Sequence, residues 1–145
     1  MKHILQPELK GCGIACIAMM MELEYDSICE EYGRRFTEKG TNLGAIIEFL
    51  ANHGYASITK YHYSAIKQDI DIRDISIEEW PPKPFAPIHI VELKQPSGNY
   101  HFVVMEENGN ILDPLREGIY KYSDWADILS VCGFYLVNPP DVFLN

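Results

Sequence analysis

The stretch that decides the fold is Gln6-Pro7-Glu8-Leu9-Lys10-Gly11-Cys12-Gly13-Ile14-Ala15-Cys16, in which a cysteine stands directly before an apolar run. The apolar residues recur with the i, i+3, i+4, i+7 spacing of one helix face, at Ile14, Ile17, Ala18 and Met21. Further apolar residues fill the other faces, and a helix that is apolar all round is normally buried. We therefore predict a central helix from about Cys12 to Leu23.

Cys12 lies where this helix begins. Gly11 and Gly13 flank it, and we expect them to let the backbone turn tightly at that point. Unpaired backbone N–H groups and the positive end of the helix dipole favour a thiolate over a thiol there. Cys12 is therefore a candidate nucleophile, which needs a base for its proton and a third group to orient that base.

Length and charge limit the classes of function. The 145 residues fit one domain, spanning 1–145, with enough chain for a hydrophobic core. The net charge is -9 and there is no basic run, which argues against nucleic acid and anionic membrane surfaces as partners. No segment approaches the roughly 20 apolar residues of a spanning helix, and no convincing secretion signal is present. We predict a cytoplasmic protein without an integral membrane segment.

The four cysteines are expected to be free thiols, because a domain of this size does not need disulfides. Cys16 follows Cys12 by one helical turn and should face the core. Half of a zinc site with Cys12, or a disulfide, remains an alternative for Cys16, although standard zinc sites use closer cysteine pairs and two further ligands. Cys29 and Cys132 show no such spacing. We expect neither a metal nor a cofactor.

The order of the predicted elements indicates an α+β fold, with N-terminal helices packed on a C-terminal antiparallel β-sheet. A short acidic helix is predicted at Ser27–Tyr32, and an apolar helix opens at the N-cap residue Asn42 and ends at His53-Gly54. A helical turn at Ser64–Gln68 and a short helix at Asp124–Leu129, capped by Ser123, complete the helical part. The predicted strands are Tyr55–Tyr61, Pro87–Leu93, Tyr100–Glu106, Asn110–Leu115, Gly118–Lys121 and Gly133–Val137.

His101 is the candidate base among the five histidines, because it opens a strand otherwise made of core residues. His89 lies inside a strand, where a packed histidine is the ordinary interpretation. Asp113 ends the strand after His101 and is the candidate orienting residue. A two-residue turn at Asn108-Gly109 would put His101 and Asp113 on opposite faces, whereas a three-residue turn with a left-handed Gly109 puts them on one face. Because a triad needs both side chains on one face, we predict the three-residue turn, Glu107–Gly109, or an equivalent bulge.

An oxyanion hole is the remaining requirement of acyl-transfer chemistry. The backbone N–H of Cys12 supplies one donor. A side-chain amide a few residues upstream supplies a second, and Gln6 is the candidate.

These motifs together resemble a known family. Gln6, five residues, and then Cys12-Gly13-Ile14-Ala15-Cys16 resemble the opening motif of the bacteriocin-processing, double-glycine leader peptidases, which are papain-like cysteine peptidases. His101-Phe102-Val103-Val104 looks like their histidine strand, and Asp113-Pro114 like their Asp-Pro. The resemblance implies a papain-like fold and a peptide or protein substrate, such as a leader ending in two glycines. It implies that Cys12 is the nucleophile, His101 the general base and acid, Asp113 the orienting residue and Gln6 the oxyanion donor.

The sequence departs from this family at two points. Gly11 stands where an acidic residue commonly precedes the nucleophile. Family members are often the N-terminal domain of a membrane-embedded ABC exporter, whereas these 145 residues contain neither transmembrane helices nor an ATPase. A transporter or secretion partner is therefore left open. Two other functions also stay open: a papain-like amidase or acyltransferase with the same triad, and a non-catalytic peptide-binding module of the same fold.

Overall fold

The computed structural model describes residues 1–33, 40–62, 80–121 and 127–137. These ranges contain three helices, α1 (Cys12–Met21), α2 (Tyr25–Tyr32) and α3 (Leu43–Ala51). They also contain six strands, β1 (Tyr55–Tyr61), β2 (Ile88–Lys94), β3 (Tyr100–Glu106), β4 (Asn110–Asp113), β5 (Arg116–Lys121) and β6 (Ile128–Leu136). The predicted helical turn at Ser64–Gln68 and residues 123–126 of the predicted last helix lie outside the described residues.

The six strands form one antiparallel sheet in the order β1-β6-β2-β3-β4-β5. This confirms the α+β class, with helices first and an antiparallel sheet after them. β1 is an edge strand. The last strand, β6, lies between β1 and β2 and pairs with both. β2 and β3 therefore lie in the middle of the sheet, next to the hairpin of β4 and β5.

The end of the predicted helix Asp124–Leu129 is wrong, because Ile128 and Leu129 belong to β6. Asp127 has a left-handed φ of 56°, which interrupts a helix, and Ile128 pairs with Leu93 of β2. β6 is buried on both faces over most of its length, so its sequence lacks the alternation that marks a half-exposed strand. For this reason the sequence predicted a strand only at Gly133–Val137 and assigned Ile128 and Leu129 to the end of a helix.

The helix α1 is the centre of the core on one face of the sheet. All its residues from Gly13 to Met20 are buried, as its apolar circumference predicts. They pack with side chains of α2, α3 and the facing strands, including Ile28, Ile46, Leu50, Ile90, Phe102, Val104, Leu112 and Phe134. The alternate residues of the same strands form a second cluster on the opposite face, which includes Val91, Val103, Met105, Ile111 and Val131.

Gly11 and Gly13 are required for space and not for a tight turn. Gly11 has φ -91° and ψ 10°, a conformation open to other residues, so our expectation about backbone freedom is wrong. A Cβ on Gly11 would overlap the hydroxyl of Tyr25, and a Cβ on Gly13 would overlap the methyl group of Thr41. The start of α1 is therefore enclosed on both sides of Cys12.

His89 is a structural histidine, as predicted. It is fully buried, and its Nε2 accepts hydrogen bonds from the backbone N–H groups of Phe85 and Ala86. Its Nδ1 donates to the Met105 carbonyl at 3.1 Å. Burial lowers the pKa of His89, and the neutral ring joins the segment before β2 to β3.

Candidate active site

The nucleophile candidate Cys12 is the first residue of α1 and is partly exposed, although the residues after it are buried. A turn precedes it, in which the Gly11 N–H donates to the Glu8 carbonyl at 3.1 Å. The first intrahelical bond, from the Ala15 N–H to the Gly11 carbonyl, leaves the backbone N–H of Cys12 among the unpaired donors of the helix start. Thiol and donor are thus presented together at the surface.

The turn between β3 and β4 has the three residues that we predicted. Val104 pairs with Leu112 and Met105 with Ile111, which leaves residues 107–109 as the loop. Gly109 is left-handed, with φ 88°, and its N–H donates to the Glu106 carbonyl at 3.0 Å. This register brings two polar side chains together across the hairpin.

His101 and Asp113 form a buried pair in which Nε2 of the imidazole lies 2.7 Å from Oδ1 of the carboxylate. Their side chains are 3% and 1% exposed. The thiol of Cys12 lines the same cleft as the imidazole and contributes to the raised pKa of His101. Because Nε2 is taken by Asp113, Nδ1 is the nitrogen left for Cys12. The three side chains stand in the order that a nucleophile, its base and an orienting carboxylate require.

The pair stabilises the protonated imidazole. Burial alone lowers the pKa of His101, but the hydrogen bonds to Asp113 and Cys12 and the negative charges of both groups outweigh it and raise this pKa to about 9. Burial raises the pKa of Asp113, but hydrogen bonds from His101 and the Leu115 N–H, with the charges of His101 and Arg116, leave it below its usual value. A protonated imidazole beside the ionised carboxylate of Asp113 follows from these shifts.

Two residues that sequence reasoning missed hold Asp113 in place. Arg116 donates from Nε to Oδ2 of Asp113 at 3.2 Å, and Nε2 of His3 lies 2.6 Å from the Asp113 carbonyl oxygen. Arg116 had a usable signal, since it follows Asp113 by three residues across a turn that contains a proline. His3 had none, because 110 residues separate it from its partner.

Gln6 lies near the start of α1, but its amide is engaged elsewhere. Nε2 donates to the carbonyls of Glu8 and Leu9, each at 2.9 Å, which uses both of its hydrogens. Oε1 is buried and has no hydrogen-bond partner in the described part of the chain. The backbone N–H of Gln6 donates to the Pro114 carbonyl at 2.8 Å. The amide must release one of its two bonds before it can act as an oxyanion donor, so that role stays a prediction.

A cleft of about 450 Å³ opens over Cys12 and His101. Its described walls contain Leu9, Lys10, Gly40, Thr41, Asn42, Glu92, Gln95, Asn99, Tyr100, Phe102 and Leu115. Several of these are exposed apolar or aromatic side chains, and Tyr100 is 63% exposed. The reactive groups thus lie at the bottom of a groove with an apolar rim.

The other three cysteines are buried free thiols. Burial raises the pKa of Cys16, and the negative charges of Cys12 and Asp113 raise it further. Burial also raises the pKa of Cys132, which accepts a hydrogen bond from the Thr59 hydroxyl at 3.1 Å. Within the described ranges, no group of three or more His, Cys, Asp or Glu side chains is placed to hold a metal ion.

No protein-family model and no curated protein matches this sequence. The structure is nevertheless similar to the crystal structure of a double glycine motif protease from an AMS/PCAT transporter in complex with the leader peptide. The likeness covers 92% of this chain and 89% of that chain, with a TM-score of 0.60 and 18% sequence identity. It confirms the predicted resemblance to such a protease in its fold.

None of the three helices described above is long and apolar enough to cross a bilayer. The longest, α1, has 10 residues, which is half of what a spanning helix needs.

Proposed function

We propose that this chain is a cysteine endopeptidase that hydrolyses a peptide bond through Cys12, His101 and Asp113. The observation that carries the proposal is the buried 2.7 Å hydrogen bond between His101 and Asp113, in a cleft that His101 shares with the Cys12 thiol at the start of α1. The similarity of the fold to that of a known protease also supports it, and Cys12 and His101 line one cleft.

In the first step, the Cys12 thiolate attacks the carbonyl carbon of the scissile bond. The carbonyl oxygen becomes an oxyanion, which the Cys12 N–H and a reoriented Gln6 amide would hold. His101, which its raised pKa keeps protonated at neutral pH, gives its proton to the leaving amine as the C–N bond breaks. The product is a thioester between Cys12 and the N-terminal fragment.

In the second step, the neutral His101 takes a proton from water, and the resulting hydroxide attacks the thioester. The C–S bond breaks, the fragment leaves with a new carboxylate, and the thiolate–imidazolium pair is restored. Asp113 does not exchange protons in either step. It orients the imidazole so that Nδ1 faces Cys12.

A leader peptide ending in two glycines is the substrate that we propose. The structural neighbour was solved with its leader peptide, and the sequence motifs resemble those of double-glycine leader peptidases. A cleft that brings α1 and β3 together over the nucleophile would favour glycine by leaving little room for side chains next to the scissile bond.

The decisive experiment is mass spectrometry of Gly-Gly-containing peptides incubated with the wild type and with Cys12→Ala. Cys132→Ala is the matched control, since it removes a buried thiol on β6. We expect cleavage after Gly-Gly by the wild type and the control and none by Cys12→Ala. Processing that survives Cys12→Ala would refute the proposal. A product carrying a new amide or ester in place of a carboxylate would identify the acyltransferase instead.

A non-catalytic peptide-binding module is the second candidate, because the Gln6 amide is tied to two carbonyls and donates nothing to the cleft. Iodoacetamide labelling near pH 6 separates the two. An active ion pair makes Cys12 react faster than the three buried cysteines, and His101→Ala abolishes this selectivity. Equal, slow labelling of all four cysteines would favour the binding module.

A further inference from the structure

Glu92 is a carboxylate in the wall of the catalytic cleft that the proposed mechanism does not use. It lies on β2 between two buried residues and is itself half-buried. It pairs across the sheet with Phe102, the residue after His101, and on its other side with Ser130 of β6. Paired residues of neighbouring strands share a face, so Phe102, Glu92 and Ser130 form one row across three strands.

The polar groups in this row have no partners within the described ranges. Glu92 makes no hydrogen bond or ion pair there, and burial raises the pKa of its carboxyl. Ser130 is fully buried, and its hydroxyl has no hydrogen-bond partner either. The carboxylate of Glu92 is only half-buried and lines the cleft, so it is open to a group of the substrate, whereas the Ser130 hydroxyl is fully enclosed and is not part of the described cleft wall.

The local backbone is also irregular at this position. The register between β2 and β6 shifts between Glu92 and Leu93, where Ser130 pairs with Glu92 but Ile128 pairs with Leu93. Leu129 is therefore the extra residue of a β-bulge. Bulges are common beside active sites, where they redirect a side chain. This bulge lies directly beside Glu92, in the strand that pairs with it.

The charge of the cleft indicates what kind of substrate group Glu92 would bind. Glu92 is the one acidic residue among the described lining residues, and Lys10, which also lines the cleft, makes no ion pair with it. Carboxylate and hydroxyl oxygens both accept hydrogen bonds, and ammonium and guanidinium groups are donors only. The exposed ring of Tyr100 in the same cleft adds a surface that favours cations.

We propose that Glu92 binds a lysine or arginine side chain of the substrate peptide and so selects substrates by charge near the scissile bond. This specificity rests on the proposed peptidase function. The recognised sequence would then contain a basic residue within a few positions of the cleaved bond, in addition to the two glycines. Hydrogen bonds to charged groups are worth about 1.5–3 kcal/mol, which corresponds to a preference of roughly ten- to a hundredfold.

The test uses a set of Gly-Gly peptides with acetylated N-termini and amidated C-termini, which carry no terminal charges. One lysine is moved through the three positions before the Gly-Gly pair and the three positions after the scissile bond, and each peptide has partners with norleucine and with glutamate at that position. We expect the wild type to show at least a tenfold higher kcat/KM for lysine over norleucine at one position. Glu92→Gln should reduce this ratio to about one, and Glu92→Lys should favour glutamate there.

Glu117→Gln is the control, because Glu117 is an exposed glutamate on β5 outside the described cleft wall. It should keep the wild-type ratio. Cleavage without any charge preference, or a preference that persists in Glu92→Gln, would overturn the inference about Glu92 and leave the peptidase proposal intact. If no peptide is cleaved, the peptidase proposal fails. The affinities of Cys12→Ala for the lysine and norleucine peptides then decide the role of Glu92 without turnover.

Discussion

Raising the pH from 6 to 10 should remove a defined part of the folding free energy, because the folded chain holds His101 protonated. Burial lowers the pKa of His101, but the bonds and charges of Asp113 and Cys12 raise it from 6.5 to about 9. A group whose pKa is raised by folding stabilises the folded state fully below its unfolded pKa. That stabilisation is lost as the pH rises through the folded pKa. The window for His101 therefore runs from pH 6.5 to about 9.

The size of this effect follows from the pKa difference. Each pKa unit corresponds to about 1.4 kcal/mol, so raising the pKa from 6.5 to about 9 contributes about 3 kcal/mol at neutral or lower pH. The His101 side chain is 3% exposed, so solvent screening reduces this little. The free energy of unfolding of a folded domain is about 5–15 kcal/mol, so the loss is a large fraction of the total stability.

Urea denaturation of the wild type and His101→Gln across pH 6–10 measures this contribution. The lysine and tyrosine titrations are common to both proteins, so the difference between their unfolding free energies isolates the histidine pair. We expect the wild type to lose about 3 kcal/mol more than His101→Gln over this range. Asp113→Asn and Cys12→Ala should each reduce the pH dependence, because each removes one cause of the raised pKa. Identical pH dependence in the wild type and His101→Gln would refute the ion pair.

Three other predictions concern the surroundings of the site. Gly13→Ala should lower the unfolding free energy by about 2 kcal/mol, because its Cβ would overlap the Thr41 methyl group; adding Thr41→Ser, which removes that methyl group, should restore most of the loss in a denaturation experiment. Arg116→Gln should cost less than about 1 kcal/mol of stability, since the pair is partly exposed. Because the Arg116 charge lowers the pKa of Asp113, its loss should move the acid limb of the rate–pH profile to higher pH, and an unmoved limb would argue against this coupling. Gln6→Ala should reduce kcat by about a hundred- to a thousandfold if the amide reorients into an oxyanion hole, and a smaller effect on kcat would assign it to holding the Glu8–Leu9 turn.

Local sequence signals were sufficient for β1 and β3, whose predicted bounds match the structure. Gly109 alone did not decide the turn, because Asn108-Gly109 also suits a two-residue turn. The requirement that His101 and Asp113 share a face selected the three-residue turn, which the structure has. Because a cysteine nucleophile needs a base and an orienting group, we predicted that these two residues act with Cys12, and the structure brings the three side chains together.

Sequence reasoning failed where the cause lies in distant packing. The first half of β6 carries no alternation because packed side chains bury both faces of the sheet there. The need for glycine at positions 11 and 13 comes from Tyr25 and Thr41, which only the tertiary structure places there. His3 and the partners of the Gln6 amide were likewise invisible, since no local pattern indicates which carbonyl a side chain will meet.

The bond between His3 and Asp113 also bears on when the site can form during synthesis. The two residues are 110 positions apart, and a ribosome adds about 5–20 residues per second, so roughly 5–20 s pass between them. Throughout that interval a nascent chain carries Cys12 without β4, and the thiol has neither its base correctly oriented nor the carboxylate that orients it. In the proposed mechanism, a partly made chain therefore lacks the complete triad, which assembles only when the N-terminal segment meets the newly made hairpin.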